Sequence, residues 1–277
     1  MQHLNTSYYH TTFARNILRM KTILLPLIAV VFFTACSKVP ITDRKQAHLM
    51  PESKLIAMSK VQYAEFLAAA KVLPANDSRA LRVANVGEKI KVATEYFLND
   101  RGYEKRLVGF EWEFKTVEEE IINAWCMPGG KVCVYTGLLD LVGSDDELAV
   151  VMGHEIAHAI ARHGNERMSQ QMVIGGVGSI LAPTDTTQVS IYQQVFMGVG
   201  TLGMLKYGRN HESESDKLGL VFMKLAGYNP ESAITFWEKM AASGGQKPPA
   251  IFSTHPSDEK RIADIKEFLL IIEEYTD

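Results

Sequence analysis

Cysteine is scarce in this chain. Its 277 residues hold three, Cys36, Cys126 and Cys133. An excess of positive charge is missing too: 29 lysines and arginines face 32 aspartates and glutamates, for a net charge of −3. No basic stripe runs along any segment, which excludes nucleic acid as a partner. No apolar run after residue 36 approaches the roughly 20 residues of a membrane span. The Gly-rich stretch Ile174 to Ser179 lacks the Lys and the preceding strand of a phosphate loop, which excludes a nucleotide. No internal repeat appears. The 47% hydrophobic content is ample for the core of one globular domain.

Against these absences stands one dense motif, His154-Glu155-Ile156-Ala157-His158, inside the apolar run Leu148 to His163. At about 100° per residue, His154 and His158 differ by about 40° and leave one helix face together. Two neutral imidazoles at that spacing can hold one Zn²⁺, and Glu155 beside them can take a proton from an activated water. The motif points to a zinc hydrolase, and to a peptidase first. Ser144 with Glu147 three residues later fits a capping box at the helix start. A catalytic zinc needs a third protein ligand. His163 lies nine residues from His154, about 180° around a continuous helix, and reads as a polar-face residue. Further on, Leu218, Val221, Phe222 and Leu225 mark a helix over 209–226 closed by Gly227. On it Glu212 and Asp216 share a face: Glu212 can bind a metal while Asp216 accepts a hydrogen bond from a ligating histidine. Glu214 falls about 200° from Glu212, so only one of the two glutamates can face the site.

Taken together, HEIAHAIARH, ESESDKLG from Glu212, NAWCMPGG from Asn123, YTGLL from Tyr135, and STHP from Ser253 with Arg261 carry a resemblance. They resemble the zinc metallopeptidase family of the CAAX prenyl proteases, HtpX-like proteases and the periplasmic β-barrel assembly-enhancing protease. The likeness spans roughly residues 120–262, with Ser215 where that family has Ala. It implies a zincin with one Zn²⁺ per chain, held by His154, His158 and Glu212, with Glu155 as general base and Asp216 supporting a ligating imidazole. It also implies that His255 lies near the metal, and His255 or Tyr207 could stabilise the oxyanion. The strand at Asn123, Ala124 and Trp125 would pair with an extended peptide substrate.

The N-terminus directs location. Lys21 to Ala35 forms a basic start and an apolar run of about 13 residues, the length of a signal peptide. It ends at Phe33-Thr34-Ala35-Cys36, similar to a bacterial lipoprotein cleavage box. Residues 1–19 read as an upstream extension, with Met20 as the natural start. Residues 20–35 read as a lipoprotein-type signal peptide, 36–50 as a lipidated N-terminus and extended lead-in, and 51–277 as one metallopeptidase domain. The expected product is an exported lipoprotein facing the periplasm, the outer membrane favoured over the inner. It would attach to the membrane by lipid alone and act on unfolded or misfolded envelope proteins. The alternative is a chaperone-like binding module with a latent, self-blocked zinc site.

The fold class expected is α+β, mostly helical, with a small antiparallel sheet next to the HExxH helix. Periodicity predicts helices over 52–73 and 77–98, a half-buried strand at 110–114, and strands at 121–127 and 131–136 about a two-residue Gly129-Gly130 turn. That turn would set Cys126 opposite Cys133, as a disulfide or as two buried thiols. Helices follow over 165–181, 187–204, 230–242 and 257–274, the first two packed on the core or acting as a flap over the cleft.

Overall fold

The chain enters the described residues (36–181, 208–242 and 259–277 of this computed structural model) as a tight hairpin. Strands β1 (Cys36–Lys38) and β2 (Lys45–Ala47) pair antiparallel, with Cys36 opposite Ala47. The expectations placed on residues 1–35, on Tyr207, on His255 and on the 187–204 helix fall outside the described residues.

Helices α1 (Glu52–Ala69) and α2 (Ser78–Asp100) follow. The side chain of Asp77 caps α2 by accepting from Arg79 N. Its buried residues Val83, Val86, Ile90, Ala93 and Phe97 recur at helical spacing and form one apolar stripe. Helix α1 stops short of the expected Leu73 because the chain turns to pair with a strand. Leu73 N donates to Thr116 O, Glu118 N donates to Lys71 O, and Val72 bridges Val117.

The sheet departs from the expected antiparallel arrangement. Its strands β3 (Glu113–Val117), β4 (Ala124–Met127) and β5 (Lys131–Tyr135) lie in the order β3-β5-β4. Strand β5 is central, antiparallel to β4 but parallel to β3. Strand β3 also starts three residues later than the alternation at Phe110 to Phe114 implied. That stretch instead lies along the glycine loop, with Glu111 N donating to Gly129 O and Glu113 N to Gly130 O. Gly130 carries φ +82, and a Cβ there would stand 2.9 Å from the Trp112 ring. The loop takes three residues, Pro128 to Gly130, because Met127 pairs with Lys131. Cys126 therefore faces Val132 and Cys133 faces Trp125. The two thiols sit on opposite faces of the sheet, one in the main core and one in a satellite cluster with Tyr63, Trp125 and Met127, and both are free.

After the short helix α3 (Thr136–Leu141) comes α4 (Asp145–Ala161), which carries the HExxH motif. Ser144 caps it, its hydroxyl accepting from Glu147 N at 3.2 Å. The Glu147 carboxylate reaches back past the cap to accept from Gly143 N and from Lys239 Nζ. Every residue of α4 from Glu147 to Ala161 is buried. Helices α5 (His163–Leu181), α6 (Arg209–Leu225), α7 (Ser232–Ala242), α8 (Glu259–Leu269) and α9 (Glu273–Thr276) complete the described chain. Helices α4 and α6 meet at Gly153 and Gly219, where a Cβ on either residue would come within 3 Å of the other helix's backbone. Phe222, Phe236, Trp237, Ile265 and Phe268 fill the core around this crossing. Burying each large side chain contributes about 1.5–3 kcal/mol.

Candidate metal centre

The glycine crossing brings the polar faces of α4 and α6 together inside the core. His154 Nε2 and His158 Nε2 stand 3.1 Å apart. Glu212, in the first turn of α6, reaches both at 3.4 Å. The ligand atoms of His154, His158 and Glu212 all lie within 4.8 Å of one another, and the three residues are buried. Glu155 is buried beside them at 3% exposure. It is near enough to Cys126 on β4 that its charge adds to burial in raising that thiol's pKa. The two histidines share one helix face, and of the two glutamates that spacing left open it is Glu212, the one the resemblance implied, that meets them.

Each imidazole is held from behind. His154 Nδ1 donates to Asp216 Oδ1 at 2.9 Å. Asp216 is gripped by Arg261, whose Nε donates to Oδ2 at 2.8 Å and whose Nη2 donates to Oδ1 at 2.7 Å. The same guanidinium lies 3.4 Å above the Trp237 ring and reaches Glu212 at 3.3 Å through Nη1. Burial opposes charge on Asp216, but Arg261 and His154 outweigh it and leave its pKa below the usual range.

Behind His158 stands His163, for which continuous helical spacing predicts a polar face. It is fully buried. The reason is a break in the helix: α4 ends at Ala161, Arg162 takes a left-handed conformation at φ 59, and His163 starts α5. The 180° offset holds only for a continuous helix. His163 Nδ1 lies 3.0 Å from His158 Nδ1, and its Nε2 lies 2.9 Å from Glu214 Oε2. Burial pushes the His163 pKa down to about 4, so the ring is neutral at physiological pH. Glu214 is buried as well, on the opposite side of α6 from Glu212, and Arg44 and Thr42 bind it. Burial works against its charge, but His163 and Arg44 overcome that and hold its pKa at about 2.

These contacts decide what the cluster can hold. A carboxylate only accepts, so Asp216 places the His154 proton on Nδ1 and turns the Nε2 lone pair inward. Glu214 places the His163 proton on Nε2. The His163 Nδ1 lone pair then accepts from His158 Nδ1–H, and His158 also turns a lone pair inward. Two lone pairs and a carboxylate converging at 3.1–3.4 Å repel one another unless a cation sits among them, so the residues fit a divalent metal. Protons compete for the same place. Burial disfavours charge on His154, yet Asp216 and Glu212 outweigh it and raise its pKa to about 9. His158 is pushed well below the usual range, burial being the largest cause.

No spacing in the sequence points to the supporting roles of His163, Glu214 and Arg44, or to the grip of Arg261 on Asp216. Only Arg261 carried a signal there, as part of the STHP segment. Asn123, Ala124 and Trp125 lie at the head of and within β4, one of the two edge strands of the sheet. Among the described residues no strand pairs with its far side.

A buried helix bearing HExxH, joined by a glutamate from a second helix, defines a metallopeptidase site on an α+β, zincin-like fold. The chain belongs to peptidase family M48, whose family model matches residues 88–269, and it is a metalloendopeptidase of that family. It is 31% identical to the mitochondrial metalloendopeptidase OMA1 of Schizosaccharomyces pombe over 244 residues, 87% of this chain and 68% of that one. It is 40% identical to the Arabidopsis thaliana protein of the same name over 160 residues, 56% of this chain but 31% of that one. It is 31% identical to the β-barrel assembly-enhancing protease of Escherichia coli K12 over 164 residues, 56% of this chain and 34% of that one.

These relatives correct the expected location. The fission yeast, plant and budding yeast relatives are mitochondrial by name, which conflicts with an exported lipoprotein facing the periplasm from the outer membrane.

Proposed function

We propose that this chain is a zinc-dependent endopeptidase that cleaves extended, unfolded polypeptide. The observation that carries the reading is the convergence of His154 Nε2, His158 Nε2 and Glu212, each imidazole with its other nitrogen already engaged. His154, His158 and Glu212 would be the ligands, a His₂Glu set of the kind that catalytic zinc sites use while keeping one position open. Zinc, when bound, would supply Lewis acidity toward the scissile carbonyl and toward a water. Glu155, buried next to the ligands, accepts the proton of the attacking water and passes it to the leaving amine. Asp216, itself gripped by Arg261, keeps the His154 ring in its ligating tautomer. The edge of β4 offers backbone donors and acceptors to a substrate strand, while its own side chains are turned into the core. Recognition by backbone pairing selects for unfolded chain rather than for a particular side chain, which supports misfolded proteins as the substrate class.

The test is degradation of an unfolded model protein by the full chain loaded with zinc, beside Glu155→Gln. Cleavage by the parent alone, with zinc retained in both, is the expected result. Retained cleavage in Glu155→Gln would refute the base. Binding of the unfolded protein without cleavage by either would replace the peptidase with a latent binding module.

A further inference from the structure

The N-terminal hairpin has no part in the chemistry above, yet its side chains end on the far side of the metal site. Arg44 spreads its guanidinium between two buried carboxylates. Its Nε donates to Glu214 Oε1 at 2.7 Å and its Nη2 to Glu214 Oε2 at 2.9 Å. Its Nη1 and Nη2 donate to the two oxygens of Glu166, each at 2.7 Å. Thr42 adds a hydroxyl to Glu214 Oε1 at 2.9 Å. Gln46 donates to Glu166 at 2.9 Å and to the carbonyl of Ala161, the last residue of α4, at 2.8 Å. The hairpin thus caps the metal helix where the chain breaks into α5. Its loop holds Ile41 at φ 70, a conformation a β-branched residue resists, so anchors on both sides must enforce it.

We propose that this hairpin is part of the catalytic unit, and that Arg44 is a positioning residue for His158. Arg44 orients the Glu214 carboxylate so that it accepts from His163 Nε2. That leaves His163 Nδ1 as the acceptor for His158 Nδ1–H, and it turns the His158 lone pair to the metal. The chain of contacts runs Arg44, Glu214, His163, His158, with no solvent-exposed member among the last three. The Arg fork matters as well as its charge, because one planar group must satisfy two carboxylates in fixed directions. The inference rests on the reading of His158 as a zinc ligand.

Zinc affinity of the full chain, measured by competition with a chromophoric chelator, tests it. Arg44→Gln and His163→Phe should each weaken binding by about 10–100-fold, the usual effect of removing a group that orients a ligand. The double variant should bind no worse than His163→Phe alone, because the Arg44 effect passes through His163. Arg44→Lys should fall between the parent and Arg44→Gln. Far-UV circular dichroism of the metal-free proteins reports folding, and the ligand field of bound Co²⁺ should change with Arg44→Gln. If Arg44→Gln does not fold, Arg44→Lys and Glu214→Gln carry the comparison on the same terms. Parent-like affinity in the folded Arg44 variants overturns the inference alone. Multiplying losses in the double variant overturn the route through His163. A parent that holds no zinc overturns the zinc reading and this inference with it.

Discussion

Replacing Gly219 by alanine sets two effects of opposite sign against each other. In a helix interior, alanine is favoured over glycine by about 1 kcal/mol. The new Cβ, however, would lie 2.8 Å from His154 N, 2.9 Å from Gly153 C and 3.1 Å from Gly153 O. Carbon contacts are comfortable at about 3.5–4.0 Å, so α4 and α6 must separate by roughly 0.7 Å. All three obstructing atoms are backbone and none can swing aside. Overpacking of this kind costs about 1–3 kcal/mol, and a backbone obstruction belongs at the upper end. The net loss should be about 1–2 kcal/mol, which lowers Tm by roughly 2–8 °C for a domain of this size. The same separation pulls Glu212 from the two histidines. Metal ligands tolerate only about ±0.2 Å, so zinc affinity should fall by about tenfold or more. Thermal melts of the metal-free chain and zinc titrations measure the two effects separately. An unchanged or higher Tm with parent-like affinity would show that the close crossing does not set the ligand distances.

Two further outcomes follow from individual contacts. Glu212→Gln removes the only carboxylate among the three converging ligands and should weaken zinc by about 10-fold or more while the metal-free fold persists; unchanged affinity would point to another third ligand. His48, packed behind the hairpin, has its pKa lowered from 6.5 to about 4, mainly by burial and then by the charges of Arg162 and Arg106. Its folded value lies below its unfolded one, so its contribution to stability is whole above about pH 6.5 and is lost as pH falls toward about 4. His48→Gln should therefore flatten the decline in Tm between those pH values in the metal-free chain. Parallel declines in parent and variant would refute the assignment.

Local chemistry made some of this molecule legible from its residues. HExxH places two imidazoles on one face because that follows from helix pitch alone, and Ser144 is readable as the cap of α4 because Glu147 follows it at the capping-box spacing. Glu212 and Asp216 were separable from Glu214 for the same reason. What failed were inferences that needed one more residue of backbone geometry. Counting Gly129 and Gly130 as the whole turn put Cys126 opposite Cys133. The loop also takes Pro128, and in a structure of period two that single residue sends the thiols to opposite faces. Carrying the helix through Arg162 turned His163 outward, whereas one left-handed residue turns it inward.

The supports of the site were illegible for a different reason. The segment Glu212 to Asp216 puts acids on both faces of one helix in an apolar context. Burial of both faces would demand a cationic or donor partner for each, since an unpaired buried carboxylate is too costly to keep charged. The sequence therefore implied that partners exist. It could not say that one would be Arg261 from the far C-terminal helix, and the other Arg44 from a hairpin 170 residues away. Long-range pairing of this kind has no period and no spacing. It also explains why the hairpin read as a mere lead-in. Its pattern is too short to form a core of its own, and its function lies in where Arg44 ends rather than in what β1 and β2 bury.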